Sequence, residues 1–166
     1  MRKQGRHKYF SLAGEEIATL LETLMGLSAS NQTLKTVTGP NDAAMRNARV
    51  CYNHLAGSKG IQLYDSLLAN QHLLLKNGNL VLSKKGIIFM QDFGINIEKL
   101  QTSRSPMCRE CLDWSERRSH LAGSLGRALL THFEKLKWIT RLPDSRIIKF
   151  SAKGQRAFDI AFSADE

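Results

Sequence analysis

A cysteine, then a histidine opening His-Leu-Ala-Gly, then a second glycine three positions on, occurs twice in this 166-residue chain. The first copy runs from Cys51 through His54-Leu55-Ala56-Gly57 to Gly60, the second from Cys111 through His120-Leu121-Ala122-Gly123 to Gly126. Nine residues after each histidine stands a leucine, Leu63 or Leu129, and four further on a large apolar residue, Leu67 or Phe133. Both copies close on an apolar alternation into serine and glycine, residues 80–86 and 148–154. A period of roughly 60 residues with so few gaps predicts duplication of one supersecondary unit.

Each copy reads as helix, helix, two short strands, helix, the order of a winged-helix-like unit. In the first, Asn41 or Asp42 caps a helix expected to run through Cys51 to about Gly57, and a second helix carries Ile61, Tyr64, Leu67 and Leu68. Asn77-Gly78 between two apolar runs predicts a hairpin, and Ser83 opens a short helix with Ile87, Ile88 and Phe93. A further turn is expected over Ile95 to Leu100. In the second copy, Asp113 with Glu116 three residues on fits a capping box for a helix carrying Leu121, Leu125, Leu129, Phe133 and Leu136. Strands are expected at 138–140 and 147–150, around Pro143-Asp144-Ser145, with a last helix from Ser151.

Upstream, Tyr9, Phe10 and Leu12 alternate like half of a hairpin, whose partner is expected in another chain or before the first residue, because a lone strand leaves its backbone unsatisfied. Ile17, Leu20, Leu21, Leu24 and Met25 form an apolar helical stripe after Glu15 and Glu16, ending near Gly26. The predicted class is therefore mainly α with short β-hairpins (α+β). Residues 1–27 hold a wing strand and a helix, 28–41 a polar linker ending in Gly39-Pro40, and 42–101 and 108–163 two tandem winged-helix-like repeats.

Net charge is +9 with a pI near 9.7, and its placement is uneven. Arg2, Lys3, Arg6 and Lys8 bring +4 to residues 1–10, and residues 135–156 carry +6. Two basic edges on a near-neutral body point to an acidic partner, nucleic acid foremost. Three cysteines read as reduced thiols. The chain lacks both a signal peptide and the roughly 20 apolar residues of a membrane helix, so a cytoplasmic protein without a membrane partner is expected. Phosphate loops, Gly-x-Ser-x-Gly and His-Glu-x-x-His are missing, and catalysis is not expected.

Cys51 and His54 lie three apart, on one face of the predicted helix. Cys108 and Cys111 have Cys-x-x-Cys spacing, which suits zinc or redox chemistry. If the two copies pack about a pseudo-twofold, Cys51, His54, Cys111 and His120 meet as a Cys2His2 set for zinc, cadmium or another soft divalent metal. The alternative is that the cysteines are small buried residues and the histidines hydrogen-bond helix ends beside helix-to-helix glycine turns. Trp114, Glu116, Arg117 and Arg118 are a candidate effector pocket, with a stacking face and anion-pairing guanidinium groups. Helix capping and local salt bridges account for the same residues. Arg141, Arg146, Lys149 and Lys153 form a candidate second basic surface.

Residues 4–18, Gln4-Gly-Arg-His-Lys-Tyr-Phe-Ser-Leu-Ala-Gly14 and the following Glu-Glu-Ile-Ala, resemble the second wing strand and next helix of bacterial ArsR-type winged-helix repressors, whose wing commonly reads Gly-Arg-His-Arg-Tyr-Tyr-x-Leu. The rest resembles the C-terminal extension of a subgroup of those regulators, with Cys-x-x-His-Leu-Ala-Gly followed by the 13-residue motif Cys111-Leu-Asp-Trp-Ser-Glu-Arg-Arg-Ser-His-Leu-Ala-Gly123. The resemblance implies that the helix-turn-helix reader lies before residue 1, in a shortened chain or a reading frame started late. It implies DNA as the partner of the intact protein, with Arg2, Lys3, Arg6, His7 and Lys8 as wing contacts. It also implies homodimerisation through the helix after the wing, and an inducer that is a metal or a small molecule. The expected function is the effector-sensing and dimerisation part of a DNA-binding transcriptional repressor. An autonomous basic nucleic-acid-binding module and a standalone metal-binding protein are the alternatives.

Overall fold

Residues 2–4, 7–9, 12–30, 40, 42–113 and 115–163 are described by the structure, a computed structural model. They fall in two units, Met1–Thr36 and Val37–Glu166. In the first, β1 (Arg2–Gln4) pairs antiparallel with β2 (His7–Tyr9), setting Lys3 opposite Lys8. The strand expected to need a partner from outside thus finds one just upstream in its own chain. Helix α1 (Glu15–Ser30) runs past Gly26 and into the segment read as linker. Leu27 continues the spacing of Leu20 and Leu24, so the apolar stripe gives the helix no reason to stop. Ala18 is buried, whereas Ile17, Leu20, Leu21, Leu24 and Leu27 are exposed.

The second unit begins with α2 (Ala43–Asn47), where Asp42 Oδ1 accepts from the N–H groups of Ala44 and Met45. Here the expected long helix fails. At Ala48 the backbone turns extended, and β3 (Arg49–Cys51) pairs with β4 (His54–Ala56) across a two-residue turn at Tyr52-Asn53. Residues that flank a two-residue turn are three apart, as are neighbours on a helix face. The spacing of Cys51 and His54 therefore suits either structure.

Helix α3 (Ser58–Ala69) follows, then the hairpin β5 (Leu73–Lys76) and β6 (Asn79–Leu82), then α4 (Lys84–Asp92) and α5 (Ile97–Gln101). Asn77 and Gly78 both have positive φ, 51° and 76°, as a tight primed hairpin turn requires. The capping box expected at Asp113 starts no helix. Instead β7 (Arg109–Leu112) and β8 (Ser119–Ala122) form a hairpin around residues 113–118, and α6 (Gly123–Lys135) begins only after it. A hairpin of β9 (Ile139–Arg141) and β10 (Ile148–Phe150) leads into α7 (Ala152–Ala161).

The order hairpin, helix, hairpin, helix thus occurs twice. Ser83 and Ser151 cap α4 and α7 identically, each Oγ accepting from the third residue on, Gly86 at 2.9 Å and Gly154 at 3.0 Å. The two halves exchange supports: α3 packs on β8, and α6 packs on β4. Backbone bonds from Val50 N–H to Arg146 O (2.8 Å) and from Ile148 N–H to Ala48 O (3.0 Å) tie β3 to the last hairpin. The shared core holds Leu55, Leu63, Leu67, Leu121, Leu125 and Leu129, with Phe133 stacked on Trp138 and edge-on to Phe93, Phe158 and Phe162. Among the described residues no helix is long and apolar enough to cross a membrane.

Candidate metal centre

The doubled motif specifies a joint, residue by residue. Gly57 and Gly123 have φ of 83° and 84°, a region open to glycine. A Cβ there would also lie 2.4 Å from Arg46 O or 2.6 Å from Pro106 O. They turn the chain from hairpin to helix, where a helix-to-helix turn was expected. The second glycines bring the halves together. A Cβ on Gly60 would meet Leu55 O at 2.5 Å and one on Gly126 would meet Leu121 O at 2.6 Å, and each also faces the other half's histidine, His120 Cβ at 3.6 Å and His54 Cβ at 3.3 Å. The contacts are reciprocal, so each histidine is seated by the opposite copy of the motif.

Strand pairing sets Cys51 opposite His54 and Cys111 opposite His120. In register pairs the side chains share a face of the sheet, and the two such faces meet. Cys51 Sγ lies 3.9 Å from Cys111 Sγ, and His54 Nε2 lies 3.1 Å from His120 Nε2. The four ligand atoms all lie within 4.8 Å of one another. His54, His120 and Cys111 are buried and Cys51 is partly so. Asn53 Oδ1 stands 3.3 Å from His54 Nδ1, on the side of the ring away from Nε2.

The hydrogen bond from Cys111 holds the Cys51 thiol far below its ordinary value, against the opposing effect of burial. Burial keeps His120 below its own ordinary value and so neutral. Thiolate sulfur and neutral imidazole are the forms in which these side chains bind a metal ion. Cys108 is not one of the four. It packs against the core, and burial pushes its thiol up to about 12.

A buried ion pair, absent from the sequence reading, braces this joint. Arg49 Nη2 donates to both carboxylate oxygens of Asp113 at 2.7 Å, with side chains 6% and 0% exposed. Asp113 also accepts from Gly57 N–H (2.8 Å), Ser115 N–H (3.0 Å) and Ser115 Oγ (2.8 Å). Burial raises the carboxyl's pKa, but bonds from Gly57, Ser115 and Arg49 outweigh it and hold the value at about 2. The sequence signal was an arginine between Ala48 and Val50 in a short apolar run, where a lone cation needs a partner.

Of the candidate pocket residues, Trp114 lies outside the described residues. Glu116 and Arg118 line an open cleft of about 480 Å³ with Ser58, Gln62, Asp65 and Phe162. Arg118 pairs with Asp65 at 2.6 Å, and Glu116 lies 3.7 Å from Arg46. Arg117 sits at positive φ in the same loop and does not line the cleft. Arg141, Arg146, Lys149 and Lys153 are exposed on and beside the β9–β10 hairpin, Arg141 paired with Glu134. Arg2, Lys3, His7 and Lys8 belong to β1 and β2, and Arg6 lies outside the described residues.

Neither a protein-family model nor a solved structure matches the chain. A curated protein does: an uncharacterized HTH-type transcriptional regulator, YdfF of Bacillus subtilis (strain 168), is 35% identical over 159 residues, spanning 96% of this chain and 70% of that protein. At that identity over that share of both chains, the chain belongs to the family of HTH-type transcriptional regulators.

Proposed function

We propose that this chain is the dimerisation and effector-sensing part of a DNA-binding regulator of the ArsR type, built on an internal duplication. The carrying observation is the exposed apolar stripe of α1, Ile17, Leu20, Leu21, Leu24 and Leu27, directly after the basic β1–β2 hairpin in a member of a DNA-binding regulator family. A helix with five large apolar side chains in water is stabilised by a second copy that covers them. The hairpin's Arg2, Lys3 and Lys8 are residue types that hold phosphate and position a protein on a duplex without reading its sequence.

Inducer binding in the second unit biases the dimer between two states, which requires unequal affinity for them. The cleft beside Glu116 and Arg118 is open to solvent, as an exchanging small molecule needs.

Sedimentation at micromolar concentration tests the reading. A dimer is expected, converted to monomer by Leu20→Glu with Leu24→Glu. DNA binding is read by anisotropy on duplex from the promoter of the protein's own gene. Lys3→Glu with Lys8→Glu is expected to weaken it and flatten its salt dependence. A wild-type monomer would remove the dimerisation role. Binding abolished instead by Arg146→Glu with Lys149→Glu would move the DNA surface to the β9–β10 hairpin.

A further inference from the structure

We infer that Cys51, His54, Cys111 and His120 hold one resident zinc-class divalent ion, in a closed four-coordinate site that staples the two halves of the second unit together. This goes beyond the regulator reading and does not depend on it. Zinc takes sulfur at about 2.3 Å and imidazole nitrogen at about 2.0–2.1 Å in a tetrahedron, which implies S···S near 3.8 Å and N···N near 3.3 Å. The structure has 3.9 Å and 3.1 Å. Two soft sulfurs with two imidazoles select zinc, cadmium or cobalt over the oxygen-seeking magnesium and calcium.

The surroundings fit an ion better than a plain core. Two thiols and two imidazoles converge at the centre of an apolar interface, where leucine would be cheaper to bury. His120 Nδ1 is buried without a hydrogen-bond partner among the described residues, so the ring is not seated there by hydrogen bonding at that nitrogen. Asn53 orients His54 from its far side, as an outer partner of a liganding histidine does. All four coordination positions come from protein and three of the ligands are buried, leaving no open position for a substrate water. Each half contributes one cysteine and one histidine, so neither half completes the site alone. The ion is therefore a cross-link, distinct from an exchanging inducer.

Elemental analysis of the full chain, purified without chelator from zinc-supplemented medium, is expected to give one zinc per chain. Cys51→Ser and Cys111→Ser are expected to reduce that content to a trace, because three ligands do not close the site, whereas Cys108→Ser retains it. Since ligand variants risk misfolding, the wild-type chain is also stripped and titrated with cobalt(II). Intense tetrahedral ligand-field bands with thiolate charge transfer are expected, saturating at one equivalent and displaced by zinc. Asn53→Ala is expected to weaken cobalt binding about tenfold with the spectrum retained. Trace metal only in the wild type, a weak octahedral cobalt spectrum, a Cys51–Cys111 disulfide in the purified chain, or equal loss in Cys108→Ser would overturn the inference. None of these readouts involves DNA, so this proposal and the regulator reading fail separately.

Discussion

Asp113 keeps its charge inside the protein because both oxygens are engaged: by one guanidinium nitrogen of Arg49 that they share, a backbone N–H from the other half, and a serine in its own loop. Removing one member of such a pair strands the other in a medium that solvates it poorly. Asp113→Ala is expected to cost about 3–5 kcal/mol in urea unfolding. Arg49→Met with Asp113→Leu should recover most of that loss, and a double variant as unstable as the single one would contradict the pairing argument. His72, stacked on Phe89 at 4.2 Å, shows the opposite economy. Burial, aided by Lys85, depresses its pKa, and burial depresses that of His132 as well. A depressed imidazole takes up its proton first in the unfolded chain, so its contribution is full above the unfolded value of about 6.5. It is lost as pH falls through that value toward the folded one. Melting temperature is expected to drop between pH 7 and 5, and the drop should be shallower in His72→Phe, which keeps the stack and removes the titration.

Among the elements, the helix after each motif is held to its hairpin by a glycine whose missing Cβ is the contact. Gly126→Ala puts a methyl 2.6 Å from a backbone carbonyl that cannot swing away. A loss of about 1–3 kcal/mol is expected on thermal unfolding; Gly78→Ala, in open space but at positive φ, tests strain without crowding. The same elements show what a reader of the sequence can see. The 77–78 turn and the caps at Ser83 and Ser151 were legible because each rests on a rule local to three or four residues. The first hairpin was not, since its strands are three residues long and the positive φ of its turn, 54°, falls on Tyr52 rather than on the neighbouring Asn53. The 51, 54, 111 and 120 set was legible as a conditional: four residues of two ligand types in a duplicated frame, given a pseudo-twofold. Arg49–Asp113 was not, because an arginine in an apolar run signals that it needs a partner without saying which residue, 64 positions away, supplies it.

At the scale of the molecule, the second unit has one core fed by both halves, with Phe133 touching three other phenylalanines and Trp138 near its centre. Phe133→Ala should cost about 3–5 kcal/mol in stability, and the melt should stay a single transition by circular dichroism and by tryptophan fluorescence. Two separate transitions would mean that the halves are independent domains after all. The exchange of supports, α3 on β8 and α6 on β4, also sets a schedule for the ribosome. A nascent chain leaves at about 5–20 residues per second. The first hairpin emerges some seventy residues ahead of the helix that covers it. Until α6 is out of the exit tunnel, a two-stranded ribbon bearing a cysteine and a histidine waits uncovered, and the unit must fold late and all at once.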